Sequence, residues 1–168
     1  MNEATRINVA TLGTIFGISG MNHGLFEALQ GNVPTGGLFI FAIGEAQKMW
    51  PHGNEAAFTI IPNFLLTGIA AMIVGLSIII WSIGFVHKKN GPTVFILLFI
   101  LLLLVGGGIA QILFFPFIWL VSTRINQPLA WWRIHNLAHD ADPGQGVPPD
   151  KIESLLEELR HLPLRAAE

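Results

Sequence analysis

The chain contains no cysteine. That excludes disulfides, thiolate zinc or iron–sulfur sites, and any thiol nucleophile. Charge is scarce as well, with only 12% of the 168 residues being Asp, Glu, Lys or Arg. The nine Lys and Arg residues come singly or in pairs, never as the basic stripe of a nucleic-acid interface, so no nucleic-acid partner is expected. No cleavable leader is expected either. Arg6 is offset by Glu3, glycines 13, 17 and 20 interrupt the first apolar run, and no small-x-small site follows. Two stretches, 56–86 and 91–123, lack Asp, Glu, Lys, Arg and His altogether.

Apolar residues fill the space that charge leaves. They make up 52% of the chain, and the mean hydropathy is +0.58, too high for an ordinary soluble domain. About 20 apolar residues in a helix cross a hydrocarbon core of roughly 30 Å. The expected fold class is therefore all-α: a polytopic membrane protein with three transmembrane helices, an interfacial helix and a short C-terminal amphipathic helix. The membrane domain covers 1–124, with spans over 7–29, 56–86 and 92–123, and a soluble tail covers 125–168.

The first span is the least apolar. Ile7 to Asn22 is uncharged but too short to cross, so the helix must run on through His23 and Glu27 until Gly31 to Gly37 stop it. Residues 38–50 are also too short to cross and are expected as an interfacial helix with Trp50 at headgroup level. Asn90–Gly91–Pro92 turns span two into span three. As one straight helix, 92–123 would overrun the bilayer, so it must tilt, kink or protrude, with Gly106–Gly108 and Pro116 as the places to bend.

Beyond the spans, Trp131, Trp132 and Arg133 read as an interfacial anchor, and 140–149 as a linker. Segment 150–161 reads as an amphipathic helix, capped by Asp150 and Glu153, with Ile152, Leu155, Leu156 and Leu159 as its apolar stripe. With three crossings, Arg6, Lys88 and Lys89 fall on one side and Lys48, Arg124 and Arg133 on the other. Only the paired lysines then favour the N-terminus inside.

His23 and Glu27 are one helical turn apart and so share a face. Ionisable groups inside a membrane are costly and usually face a protein interior or water. Such a pair would suit a proton relay or acid–base catalysis, or supply two metal ligands; two paired groups wetted at a helix end are the plain alternative. On the same helix Gly13, Gly17, Gly20 and Gly24 form a small-residue ridge of the kind that lets helices approach closely. Asn63, Thr67 and Ser77 are its polar partners if it meets span two. Gln111 is expected as interhelical glue. Glu45, His52 and Glu55 could join His23 and Glu27 in a zinc or non-haem iron cluster, and His135 with His139 could form another. Neither spacing matches a defined metal signature, and no cofactor is implied.

The run from Gly20 to Asn32, with Ile61–Pro62–Asn63–Phe64 and Gly106–Gly107–Gly108–Ile109–Ala110–Gln111, resembles a family of uncharacterised prokaryotic integral membrane proteins. The likeness covers about residues 8–133. It implies a shared fold and a place in a prokaryotic cell membrane, and brings no activity. Family members continue into further spans where this chain has a polar tail. The pair at His23 and Glu27 is also similar to the membrane helix of emopamil-binding-type sterol isomerases, whose five spans and further acidic and aromatic site residues have no counterpart here.

The expected function is that of a non-catalytic accessory protein, which associates with itself or with a larger membrane complex through the glycine ridge and the tail helix; two alternatives stand beside it. One is an intramembrane enzyme acting on a lipid or isoprenoid with His23 and Glu27 as its acid–base pair. The other is a proton-coupled transporter using Glu27, as small multidrug transporters use a first-span glutamate.

Overall fold

The computed structural model describes residues 2–42 and 56–127 and, further on, Asp150, Glu153, Ser154 and Glu157. Residues 1–127 and 128–168 are separate compact units. Helix α1 covers Glu3–Leu29, strand β1 Phe39–Phe41 and strand β2 Ala56–Phe58. Helices α2 (Phe64–Gly84) and α3 (Gly91–Leu104), a 3-10 turn (Ala110–Leu113) and helix α4 (Phe115–Ser122) follow. The described chain is thus mostly helical, with a single small sheet.

Local chemistry sets the helix ends. Asn2 caps α1, its side chain accepting from Thr5 N at 3.3 Å, and Asn63 caps α2 by accepting from Leu66 N at 3.1 Å. Helix α1 runs through His23 and Glu27 and ends before Gly31, whose φ of +88° suits glycine. Pro92 and Pro116 stand in the first turns of α3 and α4, where a missing N–H costs nothing. Pro116 therefore starts a helix where a bend was expected.

Glycines draw α1 and α2 together, antiparallel. A Cβ at Gly24 would fall 2.5 Å from Gly68 O, and one at Gly75 would fall 2.6 Å from Gly17 O. Further along, Gly13 faces Ser82 and Phe95, and Gly20 faces Leu102. The ridge is therefore occupied within the chain. Of its expected polar partners, Thr67 bonds elsewhere and Ser77 donates back to Ile73 O.

Three expectations are corrected. Residues 39–41 form a strand where an interfacial helix over 38–50 was expected; 43–50 lie outside the described residues. Antiparallel pairing with β2 matches Phe39 with Phe58, Ile40 with Ala57 and Phe41 with Ala56. Ile40 is buried between two exposed phenylalanines, the alternation of a half-buried strand. The second helix begins at Phe64, eight residues after Ala56, because Pro62 disfavours helix in the residue before it and Asn63 supplies the cap.

The third correction concerns direction. Segment 92–123 is no single crossing, because it doubles back. Helix α3 runs alongside α1, with Phe95 beside Gly13 and Leu102 beside Gly20. The chain then reverses at Gly106–Gly108 and returns down α1. Gly108 meets His23, Gln111 reaches Ser19 (3.4 Å), and the Phe114 ring stacks on Phe16 with centroids 5.5 Å apart. The return ends where α1 begins: Asn2 N donates to Ile125 O at 2.6 Å. Nearby, Asn126 Nδ2 donates to His87 O at 3.0 Å. Facing rings hold the hairpin, Phe99 lying 3.9 Å from Phe115 between centroids.

Beside an apolar core that includes Val9, Ile78, Phe95, Phe99 and Leu102, several polar side chains are buried and many large apolar ones exposed. His23, Glu27, Thr59, Thr67, Ser82, Gln111 and Ser122 are buried, while Ile15, Ile18, Ile73, Ile80, Leu97 and Phe117 are exposed. Among the described residues one helix, α2, is long and apolar enough to cross a membrane; α3 is apolar but shorter. Asp150, Glu153, Ser154 and Glu157 are helical and exposed, within the segment expected as the amphipathic helix.

Candidate functional site

Two turns of α1 near its C-terminal end present His23 and Glu27 on one buried face, with relative exposures of 6% and 0%. The face they occupy is covered by the reversal between α3 and the 3-10 turn. Gly106 and Gly108 both have positive φ, +98° and +91°, a conformation open to glycine at little cost. They also lack the side chain that would collide with the pair. A Cβ at Gly106 would lie 2.6 Å from Glu27 Oε1 and closer still to Oε2. One at Gly108 would lie 2.9 Å from His23 Nε2. Both properties of glycine are used at once: the turn needs the positive φ, and the pair needs the space.

A polar frame holds this turn in place. Gly106 N donates to Phe58 O at 3.0 Å and Ile109 N to Ala56 O at 3.1 Å, so the turn is hydrogen-bonded along β2 of the two-stranded sheet. Val105 is bridged to Thr59 in the same way. From below, Thr67 Oγ1 donates to Val105 O at 2.8 Å and shares a 2.5 Å hydrogen bond with Thr59 Oγ1. Gln111 Nε2 donates to Gly107 O at 2.5 Å while reaching Ser19 on α1. Gln111 thus ties the turn to the helix that carries the pair, close to its expected role as glue.

Glu27 stands apart in this frame. Neither of its carboxyl oxygens has a hydrogen-bond partner among the described residues. Burying a carboxyl without donors is costly, and more so if it is ionised. The geometry therefore brings together an imidazole, an unsatisfied carboxyl and irregular backbone, a set suited to binding and releasing a proton.

The candidate metal ligands fall mostly outside the described residues. Among the described residues no three His, Asp or Glu side chains group as a metal site. Glu45, His52 and Glu55, offered as companions of His23 and Glu27, lie outside the described residues, as do His135 and His139. Sequence reasoning missed Thr59 and Thr67 as supports of the turn, and Gly106 and Gly108 as parts of the site. The glycine triplet inside an apolar run was the available signal, read only as a bend.

Compared with protein-family models, curated proteins and solved structures, the chain matches none.

Proposed function

We propose that this chain is a multi-pass protein of a prokaryotic cell membrane that works as a small proton-coupled carrier, with Glu27 and His23 as its proton-binding pair. The observation that carries this reading is the seating of the Gly106–Gly108 turn directly on a fully buried carboxyl. Irregular backbone at membrane depth is tolerated where protein encloses it or where it lines a cavity. Carriers build their sites from interrupted helices beside ionisable groups. A carboxyl kept in such a place, despite its cost, marks a site.

In this arrangement α1 and α2 cross the bilayer. Helix α3, with 14 residues, is about 21 Å long and stops short of a full crossing. It therefore re-enters with α4 as a helical hairpin whose glycine tip meets the pair. The outward-facing apolar side chains of all four helices supply the lipid contact.

The other two readings draw less from the geometry. Self-association through the glycine ridge loses its main argument, since those glycines already pack against α2 and α3. A lipid-processing site needs a wide opening between α1 and α2. That seam is closed by the contacts of Gly17 with Gly75 and of Gly24 with Gly68, and the pair faces the glycine turn.

The test is an infrared difference spectrum of the full chain in lipid, taken between acid and alkaline buffer. Wild type should show a carboxyl band that changes with pH and that Glu27→Gln removes, with helix content unchanged. Superimposable spectra for the two proteins would leave the pair without a working role.

A further inference from the structure

We infer that the end of the bundle carrying Arg6, Lys88, Lys89 and Arg124 is a docking surface for anionic phospholipid headgroups; this rests on the membrane reading above. These cations come from three separated parts of the chain. The doubling back of 91–123 brings them together: Asn2 N bonds Ile125 O, and Asn126 bonds His87 O, so the start of α1, the α2–α3 turn and the end of α4 share one end. A single crossing would have left Arg124 on the far side.

The chemistry of this end suits a lipid headgroup. Lys88, Lys89 and Arg124 are exposed, and none has a carboxylate partner among the described residues. Arg6 is the exception, held by Glu3 at 2.6 Å. Just inside the cations, Ile7, Ile83 and Phe85 are exposed, as acyl chains require of their neighbours. Trp81 lies at the same level, donating its indole N–H to Gly91 O at 3.0 Å, as aromatic side chains do at the interface. Long basic side chains above an apolar belt can reach up to phosphates while their stems stay in oil. The anionic leaflet is the cytoplasmic one, so the same surface orients the protein with this end inside. His23 and Glu27 then lie toward the opposite face.

The experiment measures the relative affinity of the full chain for spin-labelled phosphatidylglycerol and phosphatidylcholine in reconstituted bilayers. Each basic side chain near an anionic surface is worth roughly a fivefold preference. Wild type should favour phosphatidylglycerol on the order of a hundredfold at low salt, and less as salt screens the charges. The triple variant Lys88→Gln, Lys89→Gln, Arg124→Gln should approach parity, and Lys88→Arg with Lys89→Arg should keep the preference. If the triple variant does not fold, each single Gln variant should lose roughly fivefold. Equal affinities in wild type, or an undiminished preference in the Gln variants, would overturn the inference. A chain that inserts into bilayers without headgroup preference refutes this surface alone. One that stays dispersed in plain buffer refutes the membrane reading with it.

Discussion

At one end of the bundle Lys88, Lys89 and Arg124 stand in the open on short turns, while toward the other end His23 and Glu27 lie sealed beneath Gly106 and Gly108. Both regions hold ionisable groups, but the backbone treats them differently. Exposed cations need only a turn to stand on, since solvent or headgroups satisfy them. The buried pair is met by a chain reversal with two positive φ angles, a short sheet edge and two threonine hydroxyls. Where polarity cannot reach water, structure has to be brought to it. That difference marks the pair, rather than the basic end, as the place where the fold accepts desolvation and shapes its backbone around it.

The sharpest way to break the comparison is to ask which face each region occupies. The chain has no cysteine, so single-cysteine variants label cleanly. Asn90→Cys and Gln127→Cys should both be protected from an impermeant maleimide in intact cells, and Gly37→Cys should react. The outcome is all or none. Labelling of position 127 but not of position 90 would mean that 91–123 crosses once after all, and the basic end would fall apart.

Next in size is a contrast between two glycines of similar backbone. Gly106 and Gly31 have φ of +98° and +88°, but a Cβ at Gly31 would meet nothing within 4 Å, whereas one at Gly106 would strike Glu27. Gly31→Ala should therefore cost about 1–2 kcal/mol, the left-handed penalty alone. Gly106→Ala adds overpacking of about 1–3 kcal/mol, giving a total of about 2–5 kcal/mol. Thermal unfolding in lipid or detergent measures both. Adding Glu27→Ala to Gly106→Ala should recover the overpacking part and leave the φ penalty. Equal losses at the two glycines would show that the turn does not press on the carboxyl.

The legible and illegible parts of this chain divide along the same line. That α1 continues through His23 and Glu27 follows from an apolar run too short to stop at Asn22, and its end at Gly31 follows from glycine chemistry. The glycine ridge was visible, but span two could be named only conditionally as its partner, because small residues in a row specify close approach without saying to whom. Leu38–Phe41 is a short apolar run, which periodicity alone cannot assign to helix or strand. Segment 91–123 hid its reversal for a related reason. Uniform apolarity carries no period, and Gly106–Gly108 announces a break without its angle. The angle comes from contacts with Phe58, Thr67 and Glu27, all distant in sequence. The site was half readable: the pair from its spacing, its roof only from the fold.

The smallest expected effect belongs to the one ion pair among the described residues, Arg6 with Glu3. Glu3 opens α1, ahead of the stretch expected as a span, and the Arg6 guanidinium holds its carboxyl below the ordinary value, first through the hydrogen bond and then through charge. A carboxyl lowered on folding contributes stability above its unfolded value, and loses it as pH falls through the folded one. Wild type and Glu3→Gln should therefore converge in melting temperature in acid. At neutral pH they should differ only slightly, because the pair is exposed to solvent and screened. The basic end should hardly notice. A large neutral-pH loss in Glu3→Gln would mean that the pair braces the start of α1, where Asn2 N bonds Ile125 O, and that this end is tighter than its exposed lysines suggest.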